Sequence, residues 1–359
     1  MKTITKSFSL PCEKDLLQRL PGRRPLFLDI ETTGLKAEYS RVYLVGCIHP
    51  TEDGDWEMNQ WLAESPYEEK ELLRQVKTYT QGFTSLVHFN GDHFDLPFLD
   101  ARCKECGLEG GFARRRSLDL YREFRCCKNL CLLPNARQKT FEQFLKISRE
   151  DRYDGGKLIP VYYRYVGSRD ENLLHLLLLH NEEDVLGMTK LLAMYPYADL
   201  ITGRGPYLSG DPQVLSDSGK ELLLFFPMAP AYPTRISFHS EGWYGILQNH
   251  RLQLKIPLTV GELRYYFPDP ENYYYLPRED IAVHKSVATY VDKAFKAKAT
   301  PENCCARREG TFLPLPCELP VQTFREQPKG APYAEWTAEL LSNRSFWESY
   351  LSALFPHFR

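Results

Sequence analysis

No stretch of the 359-residue chain approaches the eighteen or so consecutive apolar residues needed to cross a bilayer, so no membrane span or membrane partner is expected. The segment Met1 to Pro11 carries two lysines but no apolar core and no small-residue cleavage site behind them. A secretory signal is therefore not expected, and a cytoplasmic location is. Ten cysteines in an intracellular chain of this length read as reduced thiols rather than as a disulfide framework. Nor do they spell a zinc site. Cys103-Lys104-Glu105-Cys106 falls in a stretch with helical spacing, where cysteines three apart need no metal, and Cys126, Cys127 and Cys131 lack clean C-x-x-C spacing. There is no P-loop, because Ser218-Gly219-Lys220-Glu221 lacks both the upstream Gly and the hydroxyl residue, and Gly203-Arg204-Gly205 is too short to signal dinucleotide binding. A nucleotide cofactor is therefore not expected. Internal repeats and low-complexity tracts are absent too.

The composition is that of a folded globular protein, 43% hydrophobic and 26% charged. Its length exceeds what one hydrophobic core supports, and two domains are expected. The net charge of −2 conceals a local asymmetry: residues 1–100 carry 11 Lys/Arg against 16 Asp/Glu, and residues 101–170 carry 16 against 9. An acidic stretch thus precedes a basic one. The apolar run Leu26-Phe27-Leu28 predicts a central strand, and Arg41 to Ile48 and Trp56 to Leu62 two more. Helical spacing over Tyr67 to Tyr79, a strand at Ser85 to Phe89 and a helix at Phe98 to Cys106 follow. Beyond Asp119 the pattern is helical, ending in a long helix from about Asn172 to Met194. Thr202-Gly203-Arg204-Gly205-Pro206 marks a border, giving an α/β domain over residues 1–204 and an accessory, strand-rich α+β domain over residues 205–359. In the latter, short strands at Leu222 to Phe226, Arg235 to His239, Trp243 to Gln248 and Leu263 to Phe267 are expected. Helices at Asp280 to Lys298 and Tyr333 to Leu354 are expected as well.

Three elements carry chemistry. Leu28-Asp29-Ile30-Glu31-Thr32-Thr33-Gly34 ends the central strand with two acids two residues apart, which alternation points to one face. Such a pair repels itself unless a divalent cation neutralises it, and Mg²⁺ and Mn²⁺ favour hard oxygen ligands. His88-Phe89-Asn90-Gly91-Asp92-His93-Phe94-Asp95-Leu96-Pro97 follows another strand and sets Asp95 just before a helix, where helix capping is the plainer reading. Within the long helix, His180 and Asp184 stand four apart and share a face, while Glu182 and Glu183 are expected to face solvent.

In this order and spacing the three elements resemble the DEDD superfamily of 3′ to 5′ exonucleases: D-x-E, then N-x-x-x-F-D, then a Tyr or His shortly before a last Asp. The resemblance runs from about Pro25 to Met194. It is closest to the exonuclease domain of family B DNA polymerases and to stand-alone bacterial proteins described as ribonuclease H-like predicted exonucleases. Ser117-Leu118-Asp119-Leu120-Tyr121 and Arg152-Tyr153-Asp154-Gly155-Gly156 look like the stand-alone group. The resemblance implies a ribonuclease H-like mixed sheet with flanking helices. It further implies that Asp29, Glu31, Asp95 and Asp184 hold two divalent cations, Mg²⁺ or Mn²⁺. Superfamily members with Tyr carry it four residues before the last Asp and those with His five before, whereas His180 occupies the Tyr register. As an imidazole it is suited to orient or deprotonate the attacking water.

The expected partner is nucleic acid, as a single strand or a 3′ end. Thr32, Thr33 and Asn90, beside the acids, are candidate substrate contacts. So are Arg114, Arg115, Arg116 and Arg152 from a basic segment that also holds Arg137, Lys139 and Arg149. Tyr153, Tyr162, Tyr163 and Tyr165 interleave with the later cations, as in sites that stack bases. An endonuclease on the same scaffold and a non-catalytic nucleic-acid-binding module are the alternatives. Retention of all four acids argues against the last. Tyr265-Tyr266-Phe267 and Tyr273-Tyr274-Tyr275 read as a small core.

Overall fold

The structure, a computed structural model, describes residues 1–10, 14–151, 153, 155–240 and 242–358. The chain forms two compact units, one of Met1–Lys128 with Leu132–Ala198 and the other of Asn129–Cys131 with Asp199–Arg359.

The first unit is built on a mixed sheet of six strands in the order β1-β4-β3-β2-β5-β6. These are β1 (Lys2–Phe8), β2 (Pro25–Thr32), β3 (Val42–Pro50), β4 (Trp56–Leu62), β5 (Ser85–His88) and β6 (Ser117–Asp119). The helices are α1 (Lys14–Leu17), α2 (Glu69–Thr80), α3 (Asp95–Glu105), α4 (Leu120–Phe124), α5 (Gln138–Phe144), α6 (Gly155–Ser168), α7 (Glu171–Lys190) and α8 (Tyr195–Thr202), the last shared between the units. β2 sits mid-sheet because Leu26, Phe27 and Leu28 are all fully buried, which only a strand covered on both faces permits. It pairs antiparallel with β3 and parallel with β5, and β5 pairs parallel with β6. α2 buries Leu72, Leu73 and Val76 on one stripe. Its first residue, Glu69, takes a bidentate pair from Arg102 of α3 at 2.8 and 2.7 Å and accepts the Val42 N–H at 2.9 Å, tying two helices to β3. β1 was not expected, since an outermost strand with one apolar alternation in KTITKSF gives little signal.

α7 lies on β2 and β3, and the approach is close. A Cβ on Gly46 of β3 would fall 2.1 Å from Asn181 Oδ1, so only glycine admits the α7 amide against the strand. Asn181 in turn accepts from Gln60 Nε2 at 3.0 Å, and the same Gln60 amide reaches the Leu178 carbonyl at 2.9 Å.

The second unit is strand-rich, as expected. β7 (Gln213–Asp217), β8 (Glu221–Ser240) and β9 (Trp243–Pro257) form one antiparallel sheet. The two strands read at Leu222 to Phe226 and Arg235 to His239 are a single strand, β8. Its pairing with β9 shifts register between Pro227 and Ile236, where Pro227, Pro230 and Pro233 supply no N–H to the ladder. β10 (Thr259–Tyr266), β14 (Cys305–Pro314), β16 (Tyr333–Glu335) and β15 (Thr323–Phe324) make a second sheet. β12 (Ile281–His284), β11 (Tyr273–Leu276) and β13 (Ala297–Lys298) make a third. The remaining helices are α9 (Lys285–Ala288), α10 (Ala338–Ser342) and α11 (Arg344–Leu354).

Two helix expectations fail here. Asp280 to Lys298 is β12, α9 and β13, because Ala282 and Val283 pair with Tyr275 and Tyr274, and cross-strand packing overrides helical spacing. Tyr333 to Leu354 breaks into β16, α10 and α11. Tyr333 and Ala334 pair with β14, and Thr337 and Asn343 each start a new helix by accepting an N–H three residues on.

Gly46→Ala is expected to cost about 1–3 kcal/mol of stability, the usual penalty for a side chain forced into a filled space. Chemical denaturation measures it. The double variant Gly46→Ala/Asn181→Ala should cost less than the sum of its singles, and strict additivity would mean that the two residues do not meet.

Candidate active site

β2 delivers the first pair of acids. Asp29 and Glu31 lie opposite Gly46 and Leu44 of β3 and point to the α7 face, and the register slips just after Glu31. Asn181 Nδ2 donates to Asp29 Oδ2 at 2.9 Å, and the Tyr43 hydroxyl lies 3.5 Å from Glu31 Oε2. Asp95 is the first residue of α3, and its Oδ1 accepts the Ile30 N–H at 3.3 Å, which aims the carboxylate at β2 between the two acids. The turn before it requires Asn90 at φ 65, a left-handed conformation that Asn tolerates. Asp119, buried at the end of β6, holds that turn. Its Oδ1 accepts the N–H groups of Asn90 at 2.8 Å and Tyr121 at 3.0 Å.

α7 adds His180 and Asp184 on one face. His180 Nε2 lies 3.3 Å from Glu31 Oε1 and 3.3 Å from Asp184 Oδ2, and its ring is 3% exposed. Glu31, His180 and Asp184 each offer one ligand atom within 4.8 Å of the others. Burial raises the Asp29 carboxyl well above the ordinary range, and the charges of Asp184, Glu31 and Asp95 raise it further. Glu31 is raised well above its usual value by the same desolvation, then by Asp184 and Asp95. Burial likewise pushes Asp95 up to about 7. Such mutual discouragement of ionisation is what like charges in one buried site produce.

One cation of the chain already stands there. The Arg149 guanidinium bonds Asp184 Oδ1 and reaches Glu142 Oε2 at 3.0 Å and Glu183 Oε2 at 3.4 Å. The pull of Asp184 and Glu142 outweighs desolvation and raises its pKa. Sequence spacing gave no sign of this, because Arg149 lies 35 residues from Asp184. The expectation that Glu182 and Glu183 face solvent is corrected. Glu183 accepts the N–H groups of Glu150 and Asp151 at 2.7 and 2.9 Å, and Glu182 pairs with Lys6.

A cleft of about 510 Å³ opens beside the carboxylates, with Glu31, His180 and Asp184 on one side and Arg137, Lys139 and Thr140 on the other. Gln138, also lining it, donates to the Asp184 carbonyl at 2.8 Å. Of the expected substrate contacts, Thr32 and Thr33 shape the turn after β2: Thr32 Oγ1 donates to the Gly34 carbonyl, and Thr33 Oγ1 accepts the Arg41 N–H. Asn90 is exposed beside Asp95.

Arg114, Arg115 and Arg116 lie elsewhere. They precede β6, whose Ser117 pairs with Leu86, and Ser85 pairs with Pro25 at the start of β2. At about 3.3 Å per residue, Asp29 and Glu31 stand about 13–20 Å further along the sheet. Arg115 is engaged by the Phe83 carbonyl. Their place in the basic segment predicts a role at the site, but they enter β6 at the N-terminal end of the parallel strands, whereas the acids lie at the C-terminal end of β2. Arg152 and Asp154 lie outside the described residues. Tyr162 and Tyr165 are core, Tyr162 stacking on Tyr43 at 4.2 Å between ring centroids, while Tyr163 is 53% exposed and Tyr153 38%.

A family model described as the RNase_H superfamily matches residues 26–195. The first unit therefore has a ribonuclease H-like fold, a mixed sheet with flanking helices, followed by strand-rich sheets toward the C-terminus. The match supports a nucleic-acid-cleaving hydrolase, and the acidic groups are of the kind that bind divalent metal. Among solved structures, the family B DNA polymerase from the hyperthermophilic archaeon Pyrobaculum calidifontis is similar at 16% identity and a TM-score of 0.39, over 72% of this chain and 37% of that one. This chain thus spans much less than the polymerase's full length. No curated protein matches it. Among the described residues, no helix is long and apolar enough to cross a membrane.

The raised carboxyls have a measurable consequence in metal-free protein. A group such as Asp95, at about 7 in the fold against 3.8 as a free side chain, takes up a proton on folding. Its contribution to stability is fully present below about pH 4 and is lost as the pH rises through 7. The Tm in chelator should accordingly fall between about pH 5 and about pH 8, and Asp95→Asn should flatten that fall. A Tm that rises over this window would show that the acids do not share a buried site.

Proposed function

We propose that the chain is a 3′–5′ exonuclease that hydrolyses phosphodiester bonds of single-stranded nucleic acid. The observation that carries this reading is the convergence of Asp29, Glu31, Asp95 and Asp184 from β2, α3 and α7 onto one spot. There burial and the neighbouring charges raise the carboxyls of Asp29, Glu31 and Asp95, and Glu31 and Asp184 face an imidazole nitrogen. Four hard oxygen donors that repel one another, with Arg149 balancing part of their charge, fit divalent cations, Mg²⁺ or Mn²⁺. When bound, two such ions would supply Lewis acidity to the nucleophile and the leaving 3′ oxygen.

The chain's own residues divide the remaining tasks. Asn181 orients Asp29, and Gln138 fixes the backbone at Asp184. His180 Nε2, between Glu31 and Asp184, takes a proton from the attacking water. Arg137, exposed on the opposite side of the cleft, meets a phosphate of the strand lying there. Thr32 and Asn90 flank the acids and limit where the terminal nucleotide sits.

Digestion of a 3′-labelled linear strand beside a circular one, in Mn²⁺, tests the reading. Release of labelled mononucleotide from the linear strand with the circle intact is expected. Cutting of the circle would make the enzyme an endonuclease, and retention of both strands with tight binding would make it a binding module. Asp29→Ala and Asp184→Ala should each abolish cleavage while leaving the protein folded, because each removes a repelling charge, and the partners left behind keep other contacts, Asn181 with Gln60 and Arg149 with Glu142 and Glu183. Full activity in either would end the metal assignment.

Charge reversal at Arg137 should weaken single-strand binding and reduce its salt dependence by about one unit of slope. Reversal of Arg114 to Arg116, at the other edge of the sheet, should change the slope less. The reverse ranking would move the strand out of the α5 cleft.

A further inference from the structure

Asp151 belongs to none of the motifs read from the sequence, yet its carboxylate is the partner of His180. Its Oδ2 lies 2.6 Å from His180 Nδ1, and its side chain is 2% exposed. The other oxygen, Oδ1, accepts the Tyr153 N–H at 2.8 Å, and Lys139 Nζ stands 3.3 Å from Oδ2. Asp151 is itself pinned to α7, because its N–H and that of Glu150 both donate to the Glu183 carboxylate. A buried carboxylate held by a backbone N–H and a cation stays ionised and only accepts, so the ring nitrogen facing it carries the hydrogen.

We propose that Asp151 is a positioning residue for His180. It fixes the Nδ1–H tautomer and so presents the Nε2 lone pair to the spot shared by Glu31 and Asp184. The proposal rests on the nuclease reading above. In the step it serves, a water O–H bond breaks, its oxygen bonds to phosphorus and the bond from phosphorus to the leaving 3′ oxygen breaks. The water proton passes to Nε2, the leaving oxygen takes its proton from solvent, and the imidazolium is stabilised by Asp151, which gains no proton. The arrangement resembles the way a second carboxylate orients metal-site histidines, where its loss costs about 10- to 100-fold.

The test combines kinetics with a direct view of the ring. Asp151→Asn should lower kcat about 10- to 100-fold with KM and calorimetric Mn²⁺ affinity little changed, and Asp151→Glu should recover part of the loss. In a His180→Ala background, Asp151→Asn should cost nothing further, because its effect passes through the imidazole. By ¹⁵N-resolved NMR in Mg²⁺, wild-type His180 should show a downfield Nδ1 proton that disappears in Asp151→Ala at unchanged Tm. Wild-type kcat in Asp151→Asn, or an equal loss in the presence and absence of His180, would overturn the proposal and reduce Asp151 to a loop clamp. If Asp151→Ala does not fold, the isosteric Asn variant still decides through kcat. A wild-type protein that cleaves no strand but shows the Nδ1 signal, lost in Asp151→Ala, would support the positioning and overturn the nuclease reading instead.

Discussion

Four carboxylates held within reach of one another inside a fold repel, and the architecture of the first unit is organised around keeping them there. β2 contributes two because strand alternation leaves it no other face for Asp29 and Glu31. The remaining two come from the first residue of α3 and the middle of α7. Each carrier is clamped by contacts that act against the repulsion. The Ile30 N–H holds Asp95, Asn181 bridges α7 to Asp29, and Gly46 leaves the gap through which that bridge forms. Without the glycine the amide could not reach, and the fourth acid would ride on a displaced helix.

The chain balances part of this charge itself. Arg149 threads three carboxylates, and His180 sits between Glu31 and Asp184 with Asp151 behind it. A cluster of acids with its own partly buried guanidinium and an imidazole against it is polarised by the chain's own groups. The same contacts explain why the segment around Arg149 and Asp151 lies against α7, since Glu183 collects two of its backbone N–H groups. Glu182 and Glu183, which helical spacing predicts at the solvated surface, make the joint between this loop, the first strand and α7.

The elements of the first unit were legible because their signals are local. Leu26 to Leu28 read as a central strand and are fully buried, and the helix expected over Phe98 to Cys106 is α3, which begins earlier at Asp95. β1 was missed because an edge strand needs no apolar face. In the second unit, the helix expected at Asp280 to Lys298 gave way to strands because pairing with Tyr273 to Leu276 outweighed spacing along the chain. The acids themselves were visible through motif spacing. Their supporting residues were not, because Gly46, Gln60 and Asn181 are unremarkable in type and meet only across the sheet.

The sequence by itself determined the alternation that pairs Asp29 with Glu31 and the helical period that stacks His180 on Asp184, since both follow from the geometry of a single strand or helix. Which cations lie beside the acids was decided only by the tertiary structure. Arg114 to Arg116 and Arg137 lie in one basic stretch of sequence, yet β6 carries the first group to the edge of the sheet away from the acids while α5 brings the second to the cleft beside them. Parallel strands separate their two ends by their full length, and charge counted along the chain carries no record of that separation.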